Sequence, residues 1–533
     1  MLSTQHRLSA YALATAALSL LLTLPAVAQP RLELNQILVG SLDQPRARAI
    51  LRDTSGNVLD APGLDILGGS GTTYTVEGFY DTGAGTILLG PTTAANFGLG
   101  TVPGATFADV GVGGLDFFDI SDTIDIQLAD YDNSRYAQLD NPATFNSVYN
   151  HPFSGVRAAV GPRGDHAVGA DVDPIDQIIN ATSEFNVFGT PLMKDKLAVF
   201  DNRGLNALFE TPGNDPKAIR DFTSLINLDG GLDNLQNLQL KTFIYDSPNA
   251  ASPRPPAADQ PAIPVFDAKI KTDYADFSNL TTTTGGAPPA LAHNPFVGPA
   301  PALADENPND GGQNLPGITI TQGGVTTETS WLYDTGAAAS IWSQAIAQQH
   351  GVFYSSEPGK GLGSNNPTLV DANGNELGND DLPQFQLQIG GVGGTLNIAG
   401  FFVEELIVPA FRDDGHGGEE QFDMVFKDAP LLIADISIDA TPDDLTDTQT
   451  FTLEGVLGMN TFAPSLFLSG LSLDPSALGS LPTLNSNFDL FAFDEPTGDV
   501  LLKFNPDLVT IPEPTAGLLL ASLSLILLKR RKG

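Results

Sequence analysis

The chain reads as an all-β protein built from a duplicated lobe with a few short helices, and three observations on its 533 residues predict this. It carries 55 Gly and 39 Pro, with few long runs of helix formers, which is the make-up of a turn-rich β protein. Short strand-like apolar stretches are punctuated by Gly-Gly and Asp- or Asn-containing turn signals. Finally, Asp-Thr-Gly-Ala occurs twice, at 81–84 and 334–337, each time inside the same ordered set of elements. A chain of this length can bury cores for two or three domains.

Taken in order, the first copy begins with Leu64 to Leu67, a turn at Gly68-Gly69, and a strand from Thr72 that runs into Asp81. A strand at Thr86 to Leu89 and a short helix at Pro91 to Phe97 follow. The second copy has Gly317 to Ile320, a Gly323-Gly324 turn, and Val325 to Leu332 running into Asp334. Ala338 to Trp342 then leads into a short helix from Ser343 that ends in Gly351. Farther on, Val187-Phe188-Gly189 and Val456-Leu457-Gly458 lie 108 and 124 residues after their aspartates. Each precedes an expected hairpin: Leu197 to Phe200 turning at Asp201–Gly204, and Leu490 to Phe493 turning at Asp494–Gly498. Between the copies, residues 246–264 and 284–316 are rich in Pro, Ala and Asn, and Ala268 to Leu280 is expected as a strand joining the lobes. Trp331 and Trp342, flanking the second motif, are expected in the core.

The formal charge of −38 argues against nucleic-acid binding, which needs Lys and Arg on phosphate. There is no cysteine, so disulfides and thiolate metal sites are excluded. Six histidines are scattered with no His-Glu-x-x-His, and neither a Gly-x-Ser-x-Gly elbow nor a phosphate loop occurs. Asp371 to Glu376 begins like a calcium loop, but Glu376 replaces the Gly required at its sixth position, so a solvated turn is expected. No cofactor or metal is expected.

Both ends read as targeting signals. Arg7, an apolar run from Ala10 to Leu24, and Ala26-Val27-Ala28 make residues 1–28 a signal peptide. Residues 511–533 hold Pro512-Glu513-Pro514, an apolar run from Thr515 to Leu528, and Lys529-Arg530-Arg531-Lys532, a basic end that would stay cytoplasmic. This ending resembles the PEP-CTERM sorting signal of bacteria with an outer envelope. The resemblance implies a sorting enzyme that recognises Pro512, Glu513 and Pro514, and placement in the cell envelope, at the outer surface or in the extracellular matrix. Residues 29–63 hold four arginines, and could be a pro-segment lying across an acidic cleft or an outer strand with a surface loop. The remaining organisation is a first lobe at 64–245, a connection at 246–316 and a second lobe at 317–510.

Each Asp-Thr-Gly follows an apolar β run, so its carboxylate would be partly buried at a strand end, which is costly without a partner. Two such turns related by a pseudo-two-fold would place Asp81 and Asp334 about one hydrogen bond apart. Close carboxylates cannot both ionise cheaply, so the pair would share a proton, one member acting as general base on a water and the other as general acid. Gly83 and Gly336 would let backbone approach and donate N–H to the carboxylates. Thr82 and Thr335 would bond across the axis, and Gly189 and Gly458 would pass behind each turn where only Gly leaves room.

These motifs resemble the pepsin/retropepsin superfamily of aspartic peptidases. The resemblance implies a bilobal pepsin-like aspartic protease fold with two pseudo-symmetric retropepsin-like lobes, and endopeptidase activity on an extended polypeptide held between them, with no covalent intermediate. It also implies a monomer. Tyr80 and Tyr333 depart from the smaller apolar residues usual before the family's aspartates. The long spacing to Gly189 and Gly458 implies insertions around 130–180 and 355–382. Val110 to Gly114 is a candidate flap tip or a plain hairpin turn, and Tyr131 and Tyr136 are candidate flap tyrosines. The rival from another class is a catalytically silent scaffold that binds peptide or matrix polymer.

Overall fold

The computed structural model describes residues 29–62, 72–111, 114–132, 139, 141–161, 186–209, 220–221, 240–257, 260–275, 282–283, 285–301, 315–378, 382–391, 394–439, 450–467 and 482–511. The signal peptide, the sorting tail from 512 onward, the expected strand at Leu64–Leu67 and Tyr136 lie outside them. The described chain is mostly β-strand with a few short helices, an all-β architecture. Among the described residues no helix is long and apolar enough to cross a membrane.

Two sheets carry the same strand plan. In the first, Thr75–Tyr80 leads into Asp81 and pairs in parallel with Val187–Phe188, which pairs antiparallel with Ile87–Leu89. Ile87–Leu89 runs parallel to Ala159–Val160, which pairs antiparallel with Gly114–Ser121, the second arm of a hairpin whose first arm is Thr101–Gly111. In the second sheet, Trp331–Tyr333 leads into Asp334 and pairs in parallel with Gly455–Leu457, which pairs antiparallel with Ile341–Trp342. Ile341–Trp342 is parallel to Glu419–Ile433, which is antiparallel to Gly394–Asp413, the second arm of a hairpin begun by Phe385–Gly391. Strand order and sense agree step for step.

Local chemistry accounts for the elements. Thr75–Tyr80 alternates half-buried and buried positions, the period of a strand with one face on the core. Gly323 and Gly324 take φ of +61° and +75°, the two-residue turn that matches strand twist in a hairpin. Pro91 opens the helix Pro91–Asn96. Ser343 caps Gln344–Gln349 by accepting the Ile346 N–H, and Gly351 leaves the helix at φ +76°. Trp331 and Trp342 are fully buried. Ala268–Ile270 pairs with Asp499–Phe504, while Thr272–Ala275 pairs with Asn294–Val297, so the expected joining strand is two short strands of the second sheet.

The two halves meet where Lys196–Asp201 pairs antiparallel with Phe488–Asp494, Val199 opposite Ala492. Each seam strand has an outer partner, Lys241–Asp246 on one side and Asp499–Phe504 on the other. The expected second hairpin is present, turning at Asp494–Gly498. The first is corrected: Asp201–Gly204 opens the helix Arg203–Phe209, and the return strand comes only at Lys241. Asp201 accepts the Arg203 N–H at 2.9 Å and Asn206 N–H bonds Asn202 C=O, which starts a helix where a tight turn was expected. Asn202 also crosses the seam, its amide donating to Phe462 C=O at 2.8 Å and Phe488 C=O at 3.1 Å.

Residues 29–62, considered as a pro-segment or as an outer strand with a surface loop, supply strands to both sheets. Arg46–Arg52 lies between Thr75–Tyr80 and Ile124–Ala129 in the middle of the first sheet, with Ala47, Ala49, Ile50 and Leu51 inaccessible to solvent. Arg48 is buried too, because Glu77 at 2.8 Å and the Tyr131 ring at 4.3 Å receive its guanidinium. Arg31–Leu34 runs parallel to Asp423–Phe426 of the second sheet.

Substituting Asn202→Ala removes one donor each from the Phe462 and Phe488 carbonyls, which keep the Ser486 hydroxyl and the Asn206 amide, and urea unfolding is expected to show a loss of about 1 kcal/mol. An unchanged midpoint would mean that Asn202 does not brace the seam.

Candidate active site

The two Asp-Thr-Gly turns face each other. The Asp81 and Asp334 carboxyls share a hydrogen bond. A Cβ placed on Gly83 would sit 2.3 Å from the Asp334 carboxyl carbon, and one on Gly336 would sit 2.3 Å from that of Asp81. Glycine is therefore needed at both positions because the opposite aspartate fills the space.

Threonines lock the turns together. The Thr82 hydroxyl donates to Tyr333 C=O and the Thr335 hydroxyl to Tyr80 C=O, both at 2.7 Å. Each hydroxyl oxygen in turn accepts the other threonine's backbone N–H, at 3.0 and 3.1 Å. Both threonines are inaccessible to solvent, so these bonds are unscreened. Behind the turns, a Cβ on Gly189 would lie 2.1 Å from Thr86 C=O and 2.3 Å from Ala84 C=O, and one on Gly458 would lie 2.4 Å from Ala339 C=O. Gly458 N–H also bonds the Ser340 hydroxyl at 3.1 Å. All eight residues expected from sequence are thus brought together.

Each half also braces the other's turn through segments that carry no motif. Ser41 N–H bonds Ala338 C=O at 2.8 Å, and Ala292 N–H bonds Gly85 C=O at 3.0 Å; Ala338 and Gly85 are each the fourth residue after an aspartate. From there the chain crosses over, as Arg46–Arg52 beside the Asp81 strand and as Asn294–Val297 beside the Asp334 strand. Asn294 donates to Thr82 C=O at 3.0 Å, and the Gln44 amide donates to Gly336 C=O. Only the recurrence of the fold plan could have pointed to these four residues.

The carboxyls are half-buried. Burial raises the proton affinity of both above the ordinary carboxylate range, and the neighbouring Asp81 charge raises Asp334 further. Asp81 is served by the backbone N–H groups of Gly83 at 2.7 Å, Gly336 at 3.1 Å and Ala84, whereas Asp334 has those of Gly336 and Ala337. More donors favour the negative charge on Asp81, leaving the shared proton on Asp334.

The tyrosines before the aspartates differ. Tyr80 is buried with its hydroxyl donating to Leu192 C=O at 3.0 Å. Tyr333 packs against Phe462 and Phe493, and its buried hydroxyl has no hydrogen-bond partner among the described residues. Tyr131 is not at a hairpin tip; it is buried beside Arg48 and bridges to Thr242. Thr101–Gly111 and Gly114–Ser121 do form a hairpin where the flap tip was considered, with 112–113 outside the described residues. Sequence reasoning missed its twin, Phe385–Gly391 with Gly394 onward, although 391–394 repeats the Gly-Val-Gly-Gly of 111–114. Asp371 spends its carboxylate on the N–H groups of Asn373 and Asn375 and the Asn375 amide, as a solvated turn does. Among the described residues, no three His, Cys, Asp or Glu side chains are grouped to hold a metal.

Two predictions follow from the burial. Tyr333→Phe removes an unpaired buried hydroxyl and is expected to stabilise the protein by up to about 1 kcal/mol, while Tyr80→Phe costs about 1 kcal/mol, both read by urea unfolding. The dyad also makes stability depend on pH. A carboxyl whose folded affinity for protons is raised contributes fully below the ordinary carboxylate range, and that contribution is lost as pH rises through the folded value. Asp334→Asn should therefore raise Tm relative to the parent protein at neutral pH, with the advantage shrinking at acid pH; a pH-independent difference would contradict the raised affinity.

No protein-family model matches this chain and no curated protein is similar to it, so the geometry of the site carries the functional reading.

Proposed function

We propose that this protein is an exported aspartic endopeptidase with a pepsin-like bilobal fold, each half a retropepsin-like lobe. The observation that supports it most is the pair of carboxyls held by mirrored Asp-Thr-Gly turns with reciprocal threonine bonds. Such an arrangement suits a water set between the two acids. Asp81, the better-supported anion, takes a proton from the water as its oxygen attacks the peptide carbonyl carbon. Asp334 gives its proton to the carbonyl oxygen, forming a tetrahedral diol. Collapse of the diol returns a proton to the dyad while the leaving nitrogen gains one, and the C–N bond breaks. Binding an extended polypeptide between the halves supplies the orientation that makes this attack effectively unimolecular.

Export and envelope sorting rest on the two end signals, with Pro512, Glu513 and Pro514 as the residues a sorting enzyme would read. On this view the mature enzyme acts outside the inner membrane.

The test is a pH-resolved cleavage assay on the segment 29–514 with an unstructured protein as substrate. Cleavage is expected at acidic to mildly acidic pH, blocked by a statine-containing peptide. Asp81→Asn and Asp334→Asn should each cut the rate by at least about a thousandfold, the scale lost when a unit of cooperating groups is broken. A fully active single variant would overturn the dyad assignment. A folded protein that cuts nothing from mildly acidic to strongly acidic pH would favour the silent scaffold.

A further inference from the structure

Each acid of the site takes a hydrogen bond from the N–H end of a peptide group whose C=O end is held by a side-chain amide of the other half. Gly83 N–H donates to Asp81 Oδ1 at 2.7 Å. The carbonyl of that same peptide group is Thr82 C=O, and it accepts the Asn294 amide at 3.0 Å. In the second turn Ala337 N–H donates to Asp334 Oδ1 at 2.9 Å, and the carbonyl of its peptide group, Gly336 C=O, accepts the Gln44 amide. A peptide group is planar, with its C=O and N–H pointing in opposite directions. A donor fixed at one end therefore sets where the other end points, and hydrogen bonds linked in a chain polarise and strengthen one another.

Both amides are seated for this. Asn294 is buried and opens Asn294–Val297, the strand beside the one that leads into Asp334. A Cβ on Gly85 would lie 3.0 Å from Asn294 Oδ1, so glycine there leaves the amide its place. Gln44 sits between anchored neighbours. Asp43 accepts the Leu240 N–H at 2.8 Å and pairs with Arg46 at 3.2 Å, while Pro45 C=O accepts the Tyr80 N–H at 2.9 Å. The two amides are not mirror copies: Asn294 serves the peptide group of the motif glycine, and Gln44 serves the one a residue later. Among the described residues, the titratable groups facing the acids are each other and Tyr333 next to Asp334, which burial keeps protonated through the acid range.

We propose that Asn294 and Gln44 are positioning residues, each holding from the opposite half the peptide group that serves one acid, Asn294 for Asp81 and Gln44 for Asp334. Asn294 thereby favours the anion on Asp81, and Gln44 eases the loss of the shared proton from Asp334. This inference rests on the peptidase reading and adds to it what sets the division of labour between the acids.

The pH profile of kcat/KM on an unstructured protein substrate tests it, comparing wild type with Asn294→Leu, which keeps the bulk and loses the donor, and with Gln44→Ala. Asn294→Ala is read in place of Asn294→Leu if circular dichroism shows the latter unfolded. Without Asn294 the acid limb is expected to move up by about half a pH unit or more while the alkaline limb stays. Gln44→Ala is expected to move the alkaline limb up and leave the acid limb, because the first proton leaves mainly from Asp81 and the second from Asp334. A rate lowered equally at every pH, as loosened packing gives, or limbs that do not move, would overturn the assignment and leave the peptidase reading standing. If the wild type cleaves nothing, the peptidase reading fails, and carbon-13 titration of the two carboxyls in the same variants decides the inference. A first step raised by the Asn294 variant and a second raised by Gln44→Ala support it, and unmoved steps overturn it.

Discussion

Two half-buried carboxyls hydrogen-bonded to each other form the constraint on which the surrounding architecture depends. Bringing them together is unfavourable twice over, through lost hydration and through mutual repulsion once both ionise. The turns offset this by directing backbone N–H groups at the acids and by placing glycine where a Cβ would collide with an acid or a turn. Gly83 and Gly336 make room for the opposite aspartate, and Gly189 and Gly458 make room for the turn itself. The threonine lattice then fixes the relative height of the two turns, since each hydroxyl both donates and accepts across the axis. A loosening in either half would be transmitted directly to the acids.

Neither half completes the site alone. Ser41 and Ala292 reach from opposite segments to equivalent carbonyls, and the strands that follow them cross over to flank the other aspartate. The seam between Lys196–Asp201 and Phe488–Asp494 adds a second, more distant join. These links make the pairing of the acids a property of the whole chain. They also explain why residues 29–62, despite their arginines, are built into the fold: removing them would take away both Arg46–Arg52 and the brace on Ala338.

Much of this was legible in the sequence because it is local. An apolar strand, an acid and a glycine turn are encoded within about ten residues, and finding the set twice identified the acids, the threonines and the backing glycines. Legibility ended where distant segments or competing local bonds decide. Asp201 and Asn202 cap a helix, so a turn signal there did not give a hairpin. Gln44 and Asn294 are brought to the site by topology alone. The Gly-Val-Gly-Gly of 391–394 repeats that of 111–114, but at a different distance from its aspartate. The unpaired Tyr333 hydroxyl and the paired Tyr80 hydroxyl could not be told apart from two identical residues in matching contexts.

The claim that the two aspartates act as one proton-sharing unit is tested most directly by carbon-13 NMR of aspartate-labelled protein across the acid range. The account predicts that the Asp81 and Asp334 carboxyl signals move together in two coupled steps, one of them above the ordinary carboxylate range, and that Asp81→Asn reduces the Asp334 titration to a single step. Two signals that titrate independently, each within the ordinary range, would contradict it.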